Sequence, residues 1–226
     1  MRLLSALNID LVLDVGANRG QYALELRRWG YVGRIVSFEP LSAPFRALRR
    51  RSERDDRWAV VRVALGERSE TLPMNVAGNA AASSSILPML PLHERVAPAA
   101  TYIAVEDVEV RRLDDVLPVY RRDATSIFLK ADVQGYEGAV ILGGPRTLDE
   151  VAAVQIELSL TPLYEGAPLL PEIVGQLAEH GLLLVGIEPG LADPTTGRLL
   201  QADGVFARVP LESGVASGRI AESGAD

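Results

Sequence analysis

The stretch LVLDVGANRG, residues 11–20, decides how this chain folds. Leu11–Val15 is largely apolar and predicts a buried strand, and an amphipathic helix is expected from about Gly20 to Trp29. The turn between them has the pattern G-x-N-x-G, in which Gly16, Asn18 and Gly20 stand at alternate positions. Because glycine has no side chain, such a turn lets a ligand lie close to the backbone. We therefore expect a binding site at this first strand-to-helix connection.

The alternation of strand and helix continues along most of the chain. Further strands are predicted at Arg34–Phe38, Trp58–Ala64, Ser126–Ala131, Val151–Leu158, Leu182–Ile187 and Val205–Arg208. This order predicts an α/β fold with a Rossmann-like, doubly wound and mostly parallel seven-stranded sheet. Ligands of such sheets bind beyond the carboxyl ends of the strands. Residues 1–210 are expected to form a single domain, and the tail 211–226 is expected to be disordered.

One region departs from this alternation. The segment GERSETLPMNV, residues 66–76, predicts a small hairpin with its turn at Gly66–Ser69. It is followed by an Ala-, Ser- and Pro-rich stretch, 77–100, that predicts a long loop, and by a strand at Tyr102–Arg112. We expect 77–112 to be an inserted loop and strand that cover the cleft.

Composition narrows the classes of function. The net charge of −7 argues against a broad nucleic-acid-binding surface. The absence of cysteine excludes disulfides, cysteine-ligated zinc and iron–sulfur clusters. No apolar run approaches the length of a membrane span, and the first residues do not form a secretory signal. We expect a cytoplasmic protein with no nucleic-acid partner and no transmembrane segment, with a homodimer as the commonest assembly for such a protein.

Two acidic residues at predicted strand ends indicate the class of ligand. Glu39 follows the glycine turn by about twenty residues, the position at which an acid accepts the ribose hydroxyls of a nucleoside cofactor. Asp14 precedes the turn, where its carboxylate would repel a pyrophosphate but suits a nucleoside that bears a cationic amino-acid group. This combination favours a nucleoside that bears a zwitterionic amino-acid group over NAD. An NAD(P)-dependent Rossmann oxidoreductase stays as the alternative enzyme.

These residues also carry a family resemblance. VLDVGANRGQYA followed by IVSFEP resembles the first motifs of class I S-adenosylmethionine-dependent methyltransferases. Together with ASSSIL and LKADVQGYEGAVILGG, the pattern is similar to the FkbM family, whose members mostly methylate hydroxyl oxygens. The resemblance implies that Asp14, Gly16, Asn18 and Gly20 surround the methionine part of the cofactor and that Glu39 binds the ribose. It further implies that the adenine lies beside Ala64 and Leu65.

Transfer of a methyl group to a hydroxyl needs an aligned acceptor and a group that takes its proton. Asp132, at the end of a predicted strand, is the first candidate for this base, although it would also serve as a helix cap. Asp132 and Glu157 end neighbouring strands and are a candidate pair of ligands for Mg²⁺. His93 is a second catalytic candidate if its loop covers the cleft, and otherwise a solvated loop side chain.

The sequence therefore predicts an S-adenosylmethionine-dependent O-methyltransferase. Its expected acceptor is a hydroxyl of a small or medium molecule, such as a sugar, a glycolipid or a polyketide-type natural product. A non-catalytic binding module with a methyltransferase-like fold is the alternative outside the enzymes.

Overall fold

The structure is a computed structural model that describes residues 2–208. The predicted disordered tail, 211–226, lies outside the described residues.

The described chain alternates between strands and helices, as the sequence predicts. Its strands are β1 (Leu11–Val15), β2 (Arg34–Phe38), β3 (Trp58–Val61), β4 (Ala64–Leu65), β5 (Glu70–Ala77), β6 (Tyr102–Arg111), β7 (Ile127–Ala131), β8 (Ala153–Ser159), β9 (Leu183–Pro189) and β10 (Gln201–Ala207). Its helices are α1 (Arg2–Ala6), α2 (Gln21–Arg28), α3 (Ser42–Ser52), α4 (Pro91–Val96), α5 (Leu113–Arg121), α6 (Glu137–Leu142), α7 (Pro145–Glu150) and α8 (Leu170–Glu179).

The main sheet has seven strands in the order β3-β2-β1-β7-β8-β10-β9. The first five strands in this order are parallel, and β10 runs antiparallel to both β8 and β9. The predicted α/β fold with a doubly wound, mostly parallel sheet is confirmed. Strand order reverses direction at β1, which pairs with β2 on one side and β7 on the other, so the loops after β1 and β7 leave the same edge of the sheet.

Helices cover both faces of this sheet, which explains why its central strands are mostly apolar. Leu11, Leu13 and Val15 pack on one face against the helices α5, α6, α7 and α8. Val12 packs on the other face, in the core that contains Leu4 of α1, Leu26 of α2 and further residues of these helices and α3. All five residues of β1 are buried. Among the described residues, no helix is both long and apolar enough to span a membrane.

The inserted region differs from its prediction in two ways. The strands on either side of Gly66–Ser69 do not pair with each other, because β4 and β5 flank β6 in a separate three-stranded sheet. The predicted hairpin at this turn is therefore wrong. The predicted loop also contains the helix α4 and a 3₁₀ turn at Pro98–Ala100. Proline at the first helical position favours both short elements, and Leu92 and Val96 of α4 pack in a small apolar core.

Glycine at position 16 joins the two strand ends at which the site forms. Gly16 has φ +77°, and a Cβ there would lie 1.9 Å from the backbone oxygen of Asp132. We expect Gly16→Ala to separate the turn after β1 from the loop after β7, with a loss of stability of several kcal/mol and of cofactor binding. Urea unfolding and calorimetry with S-adenosylhomocysteine measure the two effects.

Gly30→Ala is the matched control for this substitution. Gly30 also has a left-handed φ, +87°, but nothing lies within 4 Å of its Cβ position. Alanine at position 30 should cost only the backbone strain, about 1 kcal/mol. Equal losses at positions 16 and 30 would contradict the steric role of Gly16.

Candidate active site

The turn after β1 is held in an unusual backbone conformation. Gly16, Asn18 and Gly20 all have positive φ, at 77°, 49° and 84°. The backbone N–H groups of Gly16 and Ala17 donate to the carbonyl oxygen of Phe38 at the end of β2. These bonds leave the turn lying across the carboxyl edge of the sheet, with its backbone facing a cavity.

Glu39 fixes this turn from the neighbouring strand end. One carboxylate oxygen of Glu39 accepts the N–H of Asn18 and the other accepts the N–H of Leu41, both at 2.9 Å. The side chain is 95% shielded from solvent, and this burial raises the pKa of Glu39 to about 8 although both N–H groups oppose the shift. Glu39 is therefore a buried acceptor at the cavity wall, with further lone pairs available to hydroxyl donors.

A cavity of about 550 Å³ opens at this edge, within the range of small-molecule and cofactor sites. Among the predicted site residues, it is lined by Gly16, Asn18, Glu39, Ala64, Leu65 and Asp132. The other predicted residues, Asp14, Gly20, Glu157 and His93, do not line it. The sequence motifs thus meet at one cavity, but four of the predicted residues lie behind its wall.

Asp14 lies beneath the turn. It is fully buried, accepts the hydroxyl of Ser37 at 2.9 Å, and its other oxygen lies 3.7 Å from the ammonium of Lys130. Burial raises the pKa of Asp14, and the positive charge of Lys130 opposes this shift. Asp14 therefore does not line the cavity itself, but it contacts Lys130, which does.

Lys130 connects Asp14 to Asp132. Its ammonium lies 3.4 Å from Oδ2 of Asp132, and it also sits 5.7 Å from the centre of the Tyr22 ring. Burial alone would lower the pKa of Lys130, but the carboxylates of Asp132 and Asp14 raise it above its usual value. A charged lysine thus stands next to Asp132 at the cavity surface.

The loop after β7 brings Asp132 and Glu157 to one amide group. Nε2 of Gln134 donates to Asp132 at 2.8 Å and to both oxygens of Glu157 at 3.1 Å. Its Oε1 accepts the hydroxyl of Tyr164 at 2.7 Å. Gln134 has φ +56°, and its backbone oxygen accepts the hydroxyl of Ser85. Because carboxylates accept and the tyrosine hydroxyl donates, this arrangement fixes which end of the amide faces the acids.

The two carboxyl groups have different environments. The side chain of Asp132 is 38% exposed and lines the cavity, whereas Glu157 is partly exposed and does not line it. Burial, together with the negative charges of Asp132 and Glu137, raises the pKa of Glu157 well above its usual value. Asp132 is therefore the carboxyl group of this pair that meets the cavity.

This arrangement does not fit the Mg²⁺ site expected from Asp132 and Glu157. The position between the two carboxyl groups is taken by an NH₂ group, which is a donor and does not bind a cation. Within residues 2–208, no group of three or more acidic, histidine or cysteine side chains is placed to hold a metal ion.

The comparison with models of protein families identifies the family of this chain. The model of the methyltransferase FkbM domain matches residues 14–184, which is more than half of the chain. The chain belongs to the FkbM methyltransferase family. It is a methyltransferase dependent on S-adenosylmethionine, not the oxidoreductase that a glycine turn alone would also allow.

A curated relative is the methyltransferase sdnD of Sordaria araneosa, 27% identical over 191 residues that cover 75% of this chain and 72% of sdnD. Among solved structures, one match is the 1,6-didemethyltoxoflavin-N1-methyltransferase of Burkholderia thailandensis. The match covers 92% of this chain and 76% of that protein, with 11% identity and a TM-score of 0.43. The match to a putative tRNA (m1A22) methyltransferase of Streptococcus pneumoniae covers 94% of this chain and 76% of that protein, with 11% identity and a TM-score of 0.49.

His93 of this methyltransferase lies away from the cavity. It is on α4, not in a loop, with 2% of its surface exposed and its ring packed edge-on against Tyr164 at 5.0 Å. Burial lowers the pKa of His93, so the ring is neutral. This placement indicates that His93 packs in the protein interior. It gives no support to the predicted role of His93 in proton transfer.

One wall of the cavity is formed by residues that the sequence motifs did not predict. Tyr22 of α2, Gln155 of β8, and Asp203 and Val205 of β10 line it on the side opposite Ala64. Asp203 and Val205 alternate with the buried residues Ala202 and Phe206, which is the only sequence signal that places them on one face of β10.

Glu39→Gln tests the proposed ribose contact in this methyltransferase. Glutamine would place an NH₂ group against one of the two backbone N–H donors that now meet carboxylate oxygens. We expect the affinity for S-adenosylhomocysteine to fall by about 10- to 100-fold, because one buried N–H donor of the turn would be left without an acceptor. Calorimetry measures it, with Glu67→Gln as an exposed control. Unchanged affinity would contradict a ribose contact at Glu39.

Tyr164→Phe tests whether the Tyr164 hydroxyl holds Gln134 in place. Its removal leaves Oε1 of Gln134 without its donor at 2.7 Å, so the amide is free to turn away from Asp132 and Glu157. We expect methyl transfer to slow by about 10-fold with unchanged affinity for S-adenosylhomocysteine.

The control is Tyr102→Phe, which removes another partly buried hydroxyl, one that donates to the Leu87 carbonyl at 2.8 Å and not to Gln134. Both variants should lose similar stability, about 1 kcal/mol. If the two variants transfer methyl groups equally well, Tyr164 has no special effect on the carboxyl pair.

Proposed function

We propose that this methyltransferase methylates a hydroxyl oxygen of a small or medium acceptor, such as a sugar, a glycolipid or a polyketide-type natural product, with Asp132 as the general base. The observation that carries the proposal is the exposure of Asp132. Its carboxylate opens into the cavity from the end of β7, while its partner Glu157 does not line the cavity. Asp132 is therefore the acid best placed to take a proton from an incoming hydroxyl.

The same proposal places the cofactor between the turn after β1 and the second sheet. Gly16 and Asn18 would meet its methionine part, Glu39 its ribose, and Ala64 and Leu65 its adenine. Two features support this placement: the bare backbone at Gly16, and the buried carboxylate of Glu39 with free lone pairs at the same cavity. When bound, S-adenosylmethionine supplies a methyl group on a positively charged sulfur.

The chain's own residues would then position the acceptor and hold its proton. Lys130 holds one carboxylate oxygen of Asp132 at the cavity through its contact at 3.4 Å. Gln134 holds the other oxygen of Asp132 at 2.8 Å, so the carboxylate is fixed at both ends. A base positioned in this way contributes about 10²- to 10⁴-fold to such a reaction. No step needs a metal ion.

The charge of the cavity supports an acceptor without negative charge. Asp132, Asp203, Glu188 and Glu25 line it, and Lys130, its one lining cation within the described residues, is already paired with two carboxylates. This supports the proposal that nucleic acid is not the substrate. The homodimer and the cytoplasmic location stay predictions.

Asp132→Asn tests the general base. Asparagine keeps the size of the side chain but does not take a proton, so we expect kcat to fall by about 10²- to 10⁴-fold with unchanged affinity for S-adenosylhomocysteine. The acceptor is first found by screening polyhydroxylated compounds with S-adenosylmethionine labelled in its methyl group. Mass spectrometry and NMR then identify the methylated atom.

The control is Asp107→Asn, an exposed carboxylate on β6. An unchanged rate in Asp132→Asn would refute the base assignment. A methylated nitrogen or carbon atom would refute O-methylation, and binding of S-adenosylhomocysteine without any methyl transfer across the screen would favour the non-catalytic binding module.

A further inference from the structure

The cavity does not end at Asp132 but continues along one face of the main sheet. We name this continuation the α2 groove. Its wall is α2, with Tyr22 and Trp29, and its floor is formed by Gln155, Glu188, Asp203 and Val205 of the last three strands of the sheet.

Strand register gives the direction of the α2 groove. Asp203 pairs with Glu157 near the carboxyl end of β8, and Val205 pairs with Gln155, two residues farther from that edge. On the wall, Trp29 lies nine residues after Gly20, which places it about 13 Å along α2 from the glycine turn. The groove therefore starts beside Asp132 and leads away from the reacting edge.

The polarity of the α2 groove changes along this direction. Asp132, Asp203 and Glu188 lie at the end near the reacting edge. Val205, Trp29 and Leu3 of α1 form the far end, and Glu25 lies on the α2 wall one helical turn before Trp29. Trp29 is 52% exposed, so its indole ring presents apolar surface to the groove. The α2 groove thus has one end whose acidic side chains can accept hydrogen bonds from hydroxyl groups and another end that is mainly apolar.

We propose that the α2 groove binds an apolar chain of the methyl acceptor, whose uncharged, hydroxyl-bearing head lies at Asp132 and Asp203. That the occupant is the acceptor rests on the proposed function. The choice of occupant follows from continuity, because the groove opens from the same cavity as the glycine turn and Asp132. The length of the wall from Gly20, about 13 Å, suits a chain of roughly ten methylene groups.

Charge selects the head group. Three carboxylates at the reacting end repel a phosphate or carboxylate on the acceptor, and Lys130 is already held between Asp14 and Asp132. A neutral glycoside head would instead donate its hydroxyls to these acids. The acceptor class is therefore a neutral amphiphile, not a phospholipid or a nucleic acid.

Trp29 provides a direct reporter of binding. The chain has two tryptophans, and the other, Trp58, is 5% exposed in the core. The probes are hexyl, octyl and decyl β-glucoside below their micelle concentrations, titrated into protein saturated with S-adenosylhomocysteine so that the cofactor part of the cavity is filled. We expect a blue shift of Trp29 emission that is lost in Trp29→Phe, and an affinity that rises about fourfold for each added methylene.

Val205→Glu should abolish this binding, because it places a charge on the apolar floor of the α2 groove. The matched control is Val32→Glu, at a 71% exposed valine outside the cavity, which should bind the glucosides like the wild type. Should Val205→Glu fail to fold, Trp29→Asp at the exposed end of α2, measured by calorimetry, replaces it.

Equal binding to the two glutamate variants, or no dependence on chain length, would overturn the proposal. Decyl phosphate binding as tightly as decyl glucoside would overturn the choice of a neutral head. Calorimetry with S-adenosylhomocysteine alone keeps the two proposals apart: failure of that ligand to bind refutes the cofactor placement, whereas its binding without glucoside binding refutes only the α2 groove.

Discussion

The close approach of two backbones at the carboxyl edge of the sheet is the constraint on which the site depends. The turn after β1 and the loop after β7 meet where the N–H of Asp132 donates to the carbonyl of Val15 at 3.1 Å. Gly16 then passes so near the carbonyl of Asp132 that no side chain fits between them. This contact sets the proposed cofactor-binding turn and the proposed base side by side, and it does so with backbone atoms that hydrogen bonds hold in place.

A row of polar side chains beneath that contact connects the stability of the fold to the proposed chemistry. Ser37, Asp14 and Lys130 occupy paired positions on β2, β1 and β7, so their side chains lie on one face of the sheet. An unpaired buried Asp14 would cost several kcal/mol, and Lys130 offsets this cost while it also directs Asp132 at the cavity. The same lysine thus stabilises the core and positions the proposed base.

The sheet and the place of the site could be predicted from the sequence, because both depend on local patterns. Apolar runs separated by amphipathic helices define the parallel strands, and the spacing from Gly16 to Glu39 brings both to the same edge. It did not predict that β4 and β5 flank β6, because strand pairing depends on contacts distant in the chain, such as Glu70 with Val110.

The finer chemistry depends on such distant contacts as well. Gln134 and Tyr164 meet from loops 30 residues apart, and their hydrogen bond decides that an amide donor, not a magnesium ion, lies between Asp132 and Glu157. His93 lies on a helix whose apolar residues pack into a small core, so a residue chosen for its chemistry is buried away from the cavity. A residue type suggests a role, but burial and partners decide whether the residue can perform it.

The most direct measurement of the central claim is a crystal structure of the protein with S-adenosylhomocysteine. The account predicts that the nucleoside lies against the backbone of Gly16, with its ribose hydroxyls on Glu39 and its sulfur facing the side of the cavity that Asp132 lines. A nucleoside bound elsewhere, or a sulfur turned away from Asp132, would contradict it.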